Sequence, residues 1–312
     1  MRIFPSRSKK LEATQFYVQP PSSAGNGSGI ALAVIVNNEA ASIGEWLRFH
    51  EAAGVDHFIL YDDGSTDDTI RIARQILPPE NLTMMPWSQR LRDASPQGRV
   101  IHSQGLAFAH AISNFRDRFR WMGFIDIDEF LFPTLANSIP DALAGMAHVD
   151  NILLPWQMFG RQGFSHTPEK VLPNYLQRHR DPYSSAVKGI LNFKCVVNPA
   201  ATTKVYVHGF ETNGNKTIWN SAGQEFQFGG HYKPIFNAHH ALQLNHYFAK
   251  SDQQLAEKIA KGSIGLSEFT KDFKGSDERA TKLTNRVLEM ERDTVEDRGI
   301  LNFCERIGFD PN

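Results

Sequence analysis

Asp126, Ile127 and Asp128 close an apolar run, Trp121 to Ile127 (WMGFIDI), and strand geometry would turn both carboxylates to one face and Ile127 to the other. Two like charges held together at the end of an apolar strand repel unless a cation compensates them. Hard oxygen donors suit Mg²⁺ or Mn²⁺, shared with the phosphates of a substrate. Taken alone, the tripeptide fits a solvated acidic turn just as well. Its neighbours change that balance. Asp62 and Asp63 open the turn Asp62 to Asp68 (DDGSTDD), in which Gly64 permits a tight reversal and an aspartate can accept from a base or a ribose hydroxyl. Asn37, Asn38 and Glu39 form a third polar cluster after the apolar run Ile30 to Val36. Gln104 opens a helix whose N-terminus could meet a donor, although a surface role fits it equally.

Stepping from these residues to what must hold them, strands and helices alternate. Ile30 to Val36 is a buried-strand run, and Ser42 with Glu45 makes a capping box opening a helix that Gly54 ends. Val55 to Tyr61 is a second strand, Thr69 to Leu77 a helix stopped by Pro78 and Pro79, and Leu82 to Met85 a third strand. A helix over Ser103 to Phe115 and a strand over Trp121 to Ile127 continue the order. This order predicts an α/β fold with a mainly parallel sheet flanked by helices, which binds ligands beyond the carboxyl ends of its strands. All three polar clusters fall there.

Residues 150 to 245 hold shorter runs, Asn151 to Leu154, Lys194 to Val197 and Lys204 to His208, which predict an antiparallel extension. Helices then return. Ser251 and Gln254 form another capping box, Gly262 ends that helix, and Asp277 to Arg292 has the pattern of a surface helix. The division expected is a flexible segment over 1–29, including the linker-like Gln19 to Gly29, a main domain over 30–262 and a C-terminal helical extension over 263–312. The main domain splits into a half that carries the three polar clusters (30–133) and a second half with the shorter runs (134–262).

The chain has 312 residues, 41% of them hydrophobic, which is enough to bury a core and excludes wholesale disorder. Lys and Arg number 33 against 34 Asp and Glu, so no global basic field favours a nucleic-acid partner. No apolar run reaches membrane-spanning length, and the N-terminus lacks the apolar stretch of a signal peptide; a cytoplasmic protein is expected. Cys195 and Cys304 have no paired spacing and read as buried small hydrophobes in a reducing compartment.

Three blocks carry a family resemblance: Ala33 to Thr69, Trp121 to Pro133 (WMGFIDIDEFLFP) and Leu244 to Ser251 (LNHYFAKS). In order and spacing they resemble GT-A glycosyltransferases of the family 2-like group and family 92. Shorter matches lie at Trp156 to Gly160, Val187 to Ile190 and Val207 to Phe210. The resemblance implies a GT-A, Rossmann-like sheet and transfer of a hexose from a nucleotide sugar, usually a UDP-sugar, to a glycan or glycoconjugate hydroxyl, with inversion. It puts Asp126 and Asp128 at the family's DxD metal motif, and His246 at a late histidine that often closes the metal site with Mn²⁺ or Mg²⁺. Asp63 falls at the nucleoside contact, and Asn38 and Glu39 fall under the base and ribose. Asn37 stands where the family often has a basic residue. Lys188 and Lys250 lie in family blocks and read as phosphate contacts or as solvated lysines. Peripheral membrane association would follow only from a lipid-linked acceptor.

Inversion needs a carboxylate base near the acceptor hydroxyl. Glu129, Asp181, Glu211 and Glu225 are the candidates, with Glu129 and Glu225 taken as catalytic. Trp156, Phe159, Trp219 and Tyr247 read as core or as acceptor-stacking aromatics, and His239 and His240 as structural. Two other functions share these features: a nucleotidyltransferase or nucleotide-sugar hydrolase, and a non-catalytic carbohydrate-binding protein.

Overall fold

The computed structural model describes residues 12–18, 27–94, 98–238, 241–261 and 276–312. Most of the linker-like stretch, the pair His239 and His240, and Gly262 with the helix end expected there lie outside those residues. In chain order the first half runs β1 (Glu12–Ala13), β2 (Gln15–Tyr17), β3 (Ile30–Val36), α1 (Ala40–Ala52), β4 (His57–Asp62), α2 (Thr69–Ile76), β5 (Leu82–Pro86), β6 (Val100–Ile101), α3 (Ser103–Phe115), β7 (Trp121–Phe124) and β8 (Glu129–Pro133). Then come α4 (Ile139–Ala144), β9 (Asn151–Met158), β10 (Gln177–His179), β11 (Phe193–Val197), β12 (Thr202–Tyr206), β13 (Gly209–Thr212), β14 (Thr217–Trp219), β15 (Glu225–Gln227) and β16 (Leu242–His246). The chain closes with α5 (Asp252–Lys261), α6 (Ser276–Arg292), β17 (Thr294–Glu296) and α7 (Gly299–Ile307).

The expected α/β architecture is present. The main sheet has the order β15-β14-β9-β11-β7-β3-β4-β5, and β16 joins β8 to β9 beside it. Strands β7, β3, β4 and β5 are mutually parallel, while β11 runs antiparallel to both β7 and β9, which is the expected extension. The all-apolar β3 is sorted by its period of two. Ile30, Leu32, Val34 and Val36 enter one core with Trp46, Leu47 and Phe49 of α1. Ala31 and Ala33 enter the other with Ala107 and Phe108 of α3. Both faces are therefore dry, and polar groups of this part of the sheet collect at the strand ends. Gly54 follows α1 with φ +93°, a left-handed conformation that glycine adopts at little cost, so the helix stops where the sequence places its end.

Several local expectations give way. Glu12 to Tyr17, expected in a flexible segment, forms strands: β1 pairs with β6, and β2 adds to β12 and β13. The Ser42–Glu45 capping box does not form. Helix α1 starts at Ala40, and Glu45 turns away to accept from the backbone N–H groups of Val171 and Leu172 at 2.8–3.0 Å. The N-terminus of α1 is capped from another loop instead, with Asp67 accepting from Ala40 N–H and Thr69 Oγ1 from Glu39 N–H. The second capping box forms in its first half, since Ser251 Oγ accepts from Gln254 N–H at 3.0 Å, while Gln254 Oε1 accepts from Lys250 N–H, one residue before the cap. Residues 276–312 are mostly helical, in α6 and α7, but they also include β17, paired with β10, and they bury Val287, Met290, Ile300 and Phe303 in the main core. Cys195 and Cys304 are free and buried, as expected. Among the described residues, no helix is long and apolar enough to cross a membrane.

Candidate active site

The strand carrying the acidic motif ends earlier than its apolar pattern suggests. β7 stops at Phe124, and the chain turns through Asp126 to Asp128 into β8. Glu129 N–H donates to Asp126 O, and Asp126 N–H donates to Glu129 Oε2 at 2.8 Å, closing the turn. The same-face argument for the two aspartates therefore fails, because neither lies in a strand. Asp126 is held by Gln104 Nε2 at 3.1 Å and by Lys194 Nζ at 2.7 Å. Asp128 points to His246 Nε2 at 3.5 Å and to Lys258 Nζ at 2.8 Å.

Glu129 lies between these two sets. Its side chain is fully buried, 3.7 Å from Lys194 Nζ and 4.0 Å from His246 Nδ1. Burial pushes its carboxyl well above the usual range, against the pull of Lys194 and with the help of the Asp126 and Asp128 charges. Asp128 goes the other way. Burial opposes its ionisation, but Lys258 and His246 outweigh burial and hold its carboxyl well below the usual range. His246 is lowered, chiefly by burial. The backbone around Glu129 is fixed by α1. Trp46 Nε1 donates to Glu129 O at 2.8 Å, and His50 Nε2 accepts from Leu131 N–H at 3.1 Å.

Ligand atoms of Asp128, Glu129 and His246 lie within 4.8 Å of one another, a spacing suited to one cation. Glu129 Oε1 and His246 Nδ1, the pair at 4.0 Å, are both buried without a hydrogen-bond partner. Unpaired buried polar atoms are costly, and a cation between them would satisfy both. The donor set of two carboxylates and one imidazole fits a divalent ion, and the nitrogen sits better with Mn²⁺ than with Mg²⁺.

At Asp128 this cluster borders a cavity of about 360 Å³, lined among others by Glu39, Asp63, Gln104, Asp126, Asp128 and Lys250. Residues from all three polar clusters thus meet in one place. Each has a distinct local role. Asn37 Nδ2 donates to Asp63 O at 2.8 Å. Asn38, at φ +55°, accepts on Oδ1 from the N–H groups of Thr66 and Asp67, tying the first loop to the second. Asp62 Oδ1 accepts from Ser65 N–H, setting the turn in which Gly64 takes φ +80°. Asp63 is buried and receives both Nη groups of Arg90 at 2.6 and 2.8 Å. Lys250 is buried, its Nζ donating to Ser42 Oγ at 2.8 Å, and burial lowers its pKa.

Other expected site residues lie elsewhere. Lys188 is exposed, and Glu225 is exposed on the edge strand β15; neither lines the cavity. Asp181 accepts from Tyr183 N–H, and Glu211 accepts from the Tyr206 hydroxyl. Trp156, Phe159 and Tyr247 are core residues, with the Trp156 ring 4.2 Å from that of His246. The sequence reading missed Lys194, Lys258 and Arg90. Lys194 had a visible signal, a lone lysine inside the apolar strand FKCVV. The expected flexible segment also reaches the site, because Glu12 lines the cavity.

The α/β sheet, the cavity at its strand ends and the acidic and imidazole cluster beside it form the candidate site. The sequence profile of glycosyltransferase family 92 matches residues 30–298, and the chain belongs to that family. Relatives include a glycosyltransferase family 92 protein of Ricinus communis, 22% identical over 271 residues, covering 83% of this chain and 43% of the relative. One of Oryza sativa subsp. japonica is 25% identical over 301 residues, covering 91% and 45%. The chain thus spans less than half the length of these relatives. Among solved structures it is similar to S. aureus TarS 1-349 in complex with UDP (17% identity, 55% of this chain and 47% of that one, TM-score 0.33). It is also similar to glucosyl-3-phosphoglycerate synthase from Mycobacterium tuberculosis with Mn²⁺, UDP and phosphoglyceric acid (22% identity, 43% and 44%, TM-score 0.28).

Proposed function

We propose that this chain is a metal-dependent glycosyltransferase that moves a hexose from a nucleotide diphosphate sugar, a UDP-sugar, to a hydroxyl of a glycan or glycoconjugate, with inversion. The observation that carries this reading is the meeting of the strand-end clusters at one cavity whose wall includes Asp128, the member of the Asp128, Glu129 and His246 set that reaches it, in a chain of family 92. Those three residues would hold the cation. When bound, it supplies Lewis-acid stabilisation of the departing diphosphate. Asp63 and Glu39 offer carboxylates to the nucleoside, with Asn37, Asn38 and Asp62 fixing the loops that present them. Gln104 and Lys194 orient Asp126 at the cavity wall. Lys250, pinned by Ser42, adds a fixed positive charge for phosphate. Full burial supports reading Glu129 as part of the cation cluster rather than as the base at the acceptor hydroxyl.

The test is a nucleotide-sugar screen by thermal stabilisation with and without Mn²⁺, followed by product analysis. A true donor at a hundred times its Kd adds about 2.7 kcal/mol of stability. Asp128→Ala should abolish the Mn²⁺-dependent part of that stabilisation and lower transfer roughly a thousandfold or more. Full activity in Asp128→Ala, or sugar binding without any response to UDP and Mn²⁺, would overturn the proposal.

A further inference from the structure

Lys258 lies on α5, and its Nζ is 2.8 Å from Asp128 Oδ2, on one of the carboxylates that the cation needs. The other oxygen of Asp128 faces His246 Nε2 at 3.5 Å. An ammonium and a divalent cation on the same carboxylate repel strongly in a partly dehydrated site. Both cannot keep it at full strength.

The surroundings of Lys258 allow it to leave. Its side chain is 28% exposed and lines the cavity, whereas Lys194 is only 2% exposed and is held between Asp126 and Glu129. The Nζ of Lys258 also lies 4.6 Å from the ring centre of Phe248, which gives the displaced ammonium a favourable neighbour. The cavity is lined by the carboxylates of Glu12, Glu39, Asp63, Asp126 and Asp128, with Lys250 and Lys258 as its lysines. A diphosphate brought into that space would be the strongest new anion within reach of Lys258.

We propose that Lys258 is an exchangeable internal cation: it occupies Asp128 until a divalent ion arrives, and then transfers its contact to the diphosphate of the bound nucleotide. This rests on the nucleotide-sugar reading of the site. Lys258 thereby couples the two ligands. It weakens binding of the metal alone and strengthens binding of the nucleotide with the metal, so each ligand favours the other.

The proposal predicts effects of opposite sign in one variant. With the full chain, Mn²⁺ alone is titrated by calorimetry or by electron paramagnetic resonance of the free ion, and UDP is then titrated at saturating Mn²⁺. Lys258→Met keeps the apolar stem and removes the charge. It should bind Mn²⁺ alone roughly tenfold more tightly and UDP with Mn²⁺ roughly tenfold more weakly, while Lys258→Arg keeps UDP binding near that of the wild type. Circular dichroism confirms that the variants are folded, and Lys258→Gln repeats the test if Lys258→Met is not. Weakening of both ligands, or no change in either, would overturn the exchange. A wild-type chain that binds neither Mn²⁺ nor UDP would instead overturn the nucleotide-sugar reading on which it rests.

Discussion

Lys194 and Lys258 each place an ammonium within 2.8 Å of a carboxylate of the Asp126–Asp128 turn, one from the sheet beneath the cavity and the other from helix α5 over it. The contacts are alike in length and differ in surroundings. In the floor pair the Lys194 side chain, built into β11, is 2% exposed although Asp126 is 39% exposed, and burial works against the lysine's charge until Asp126 and Glu129 overcome it, raising its pKa. The roof pair joins two side chains that are 28% and 21% exposed. A buried charge has no substitute partner once its own is lost, whereas water can replace a partner at a half-open rim. The floor should therefore answer to mutation as stability and the roof as ligand binding.

The largest effect tests the floor. Lys194→Ala removes a fully buried side chain together with the ammonium bonded to Asp126, and should cost about 2 to 5 kcal/mol in urea denaturation. A loss below 1 kcal/mol, on the order of a surface ion pair, would erase the distinction between floor and roof. Next comes the support behind the floor. His50 is fully buried, and because Nε2 accepts from Leu131 N–H, Nδ1 carries the proton donated to Trp46 O at 2.8 Å. Burial lowers its pKa to about 3. The unfolded chain takes up this proton below pH 6.5 and the folded chain does not, so the stabilisation is complete above 6.5 and declines as pH falls toward 3. At pH 5 the loss is roughly 2 kcal/mol. A His50→Gln variant should show a pH dependence between 7 and 5 that is shallower by that amount, and an unchanged slope would assign the acid sensitivity to other histidines.

Smaller effects belong to the roof. Glu45 accepts from the N–H groups of Val171 and Leu172, which line up the segment next to Lys250. Glu45→Ala should cost about 1 to 2 kcal/mol by leaving buried donors unpaired, measured by thermal melts. Lys258→Met should change stability in the absence of ligands by less than about 1 kcal/mol. A cost equal to that of Lys194→Ala would make both lysines structural and remove the contrast.

Much of this arrangement was legible from local pattern. The apolar run Ile30 to Val36 became a central strand, α3 took the expected span Ser103 to Phe115, and the strand-end clusters met at one cavity. These features depend on periodicity and on polar residues being expelled to strand ends, which short stretches of sequence encode. The capping box at Ser42 failed because its motif is also short-range. Once the segment containing Val171 and Leu172 packs against α1, their N–H groups claim the Glu45 carboxylate, and a cap for α1 is available from Asp67 and Thr69. The strand Trp121 to Ile127 ended at Phe124 because the chain there reverses into β8, which pairs with β16.

What the residues determined unaided is an alternating α/β order and a set of acidic strand ends able to hold a cation. Which carboxylate faces which partner was decided only by tertiary structure. Lys194 and Asp126 are 68 residues apart in the chain, and Lys258 and Asp128 are 130 apart. Charges interact through space, so the division of one Asp-Ile-Asp turn between a buried, fixed ammonium and a half-buried, exchangeable one exists only once the sheet and α5 have brought those lysines to it.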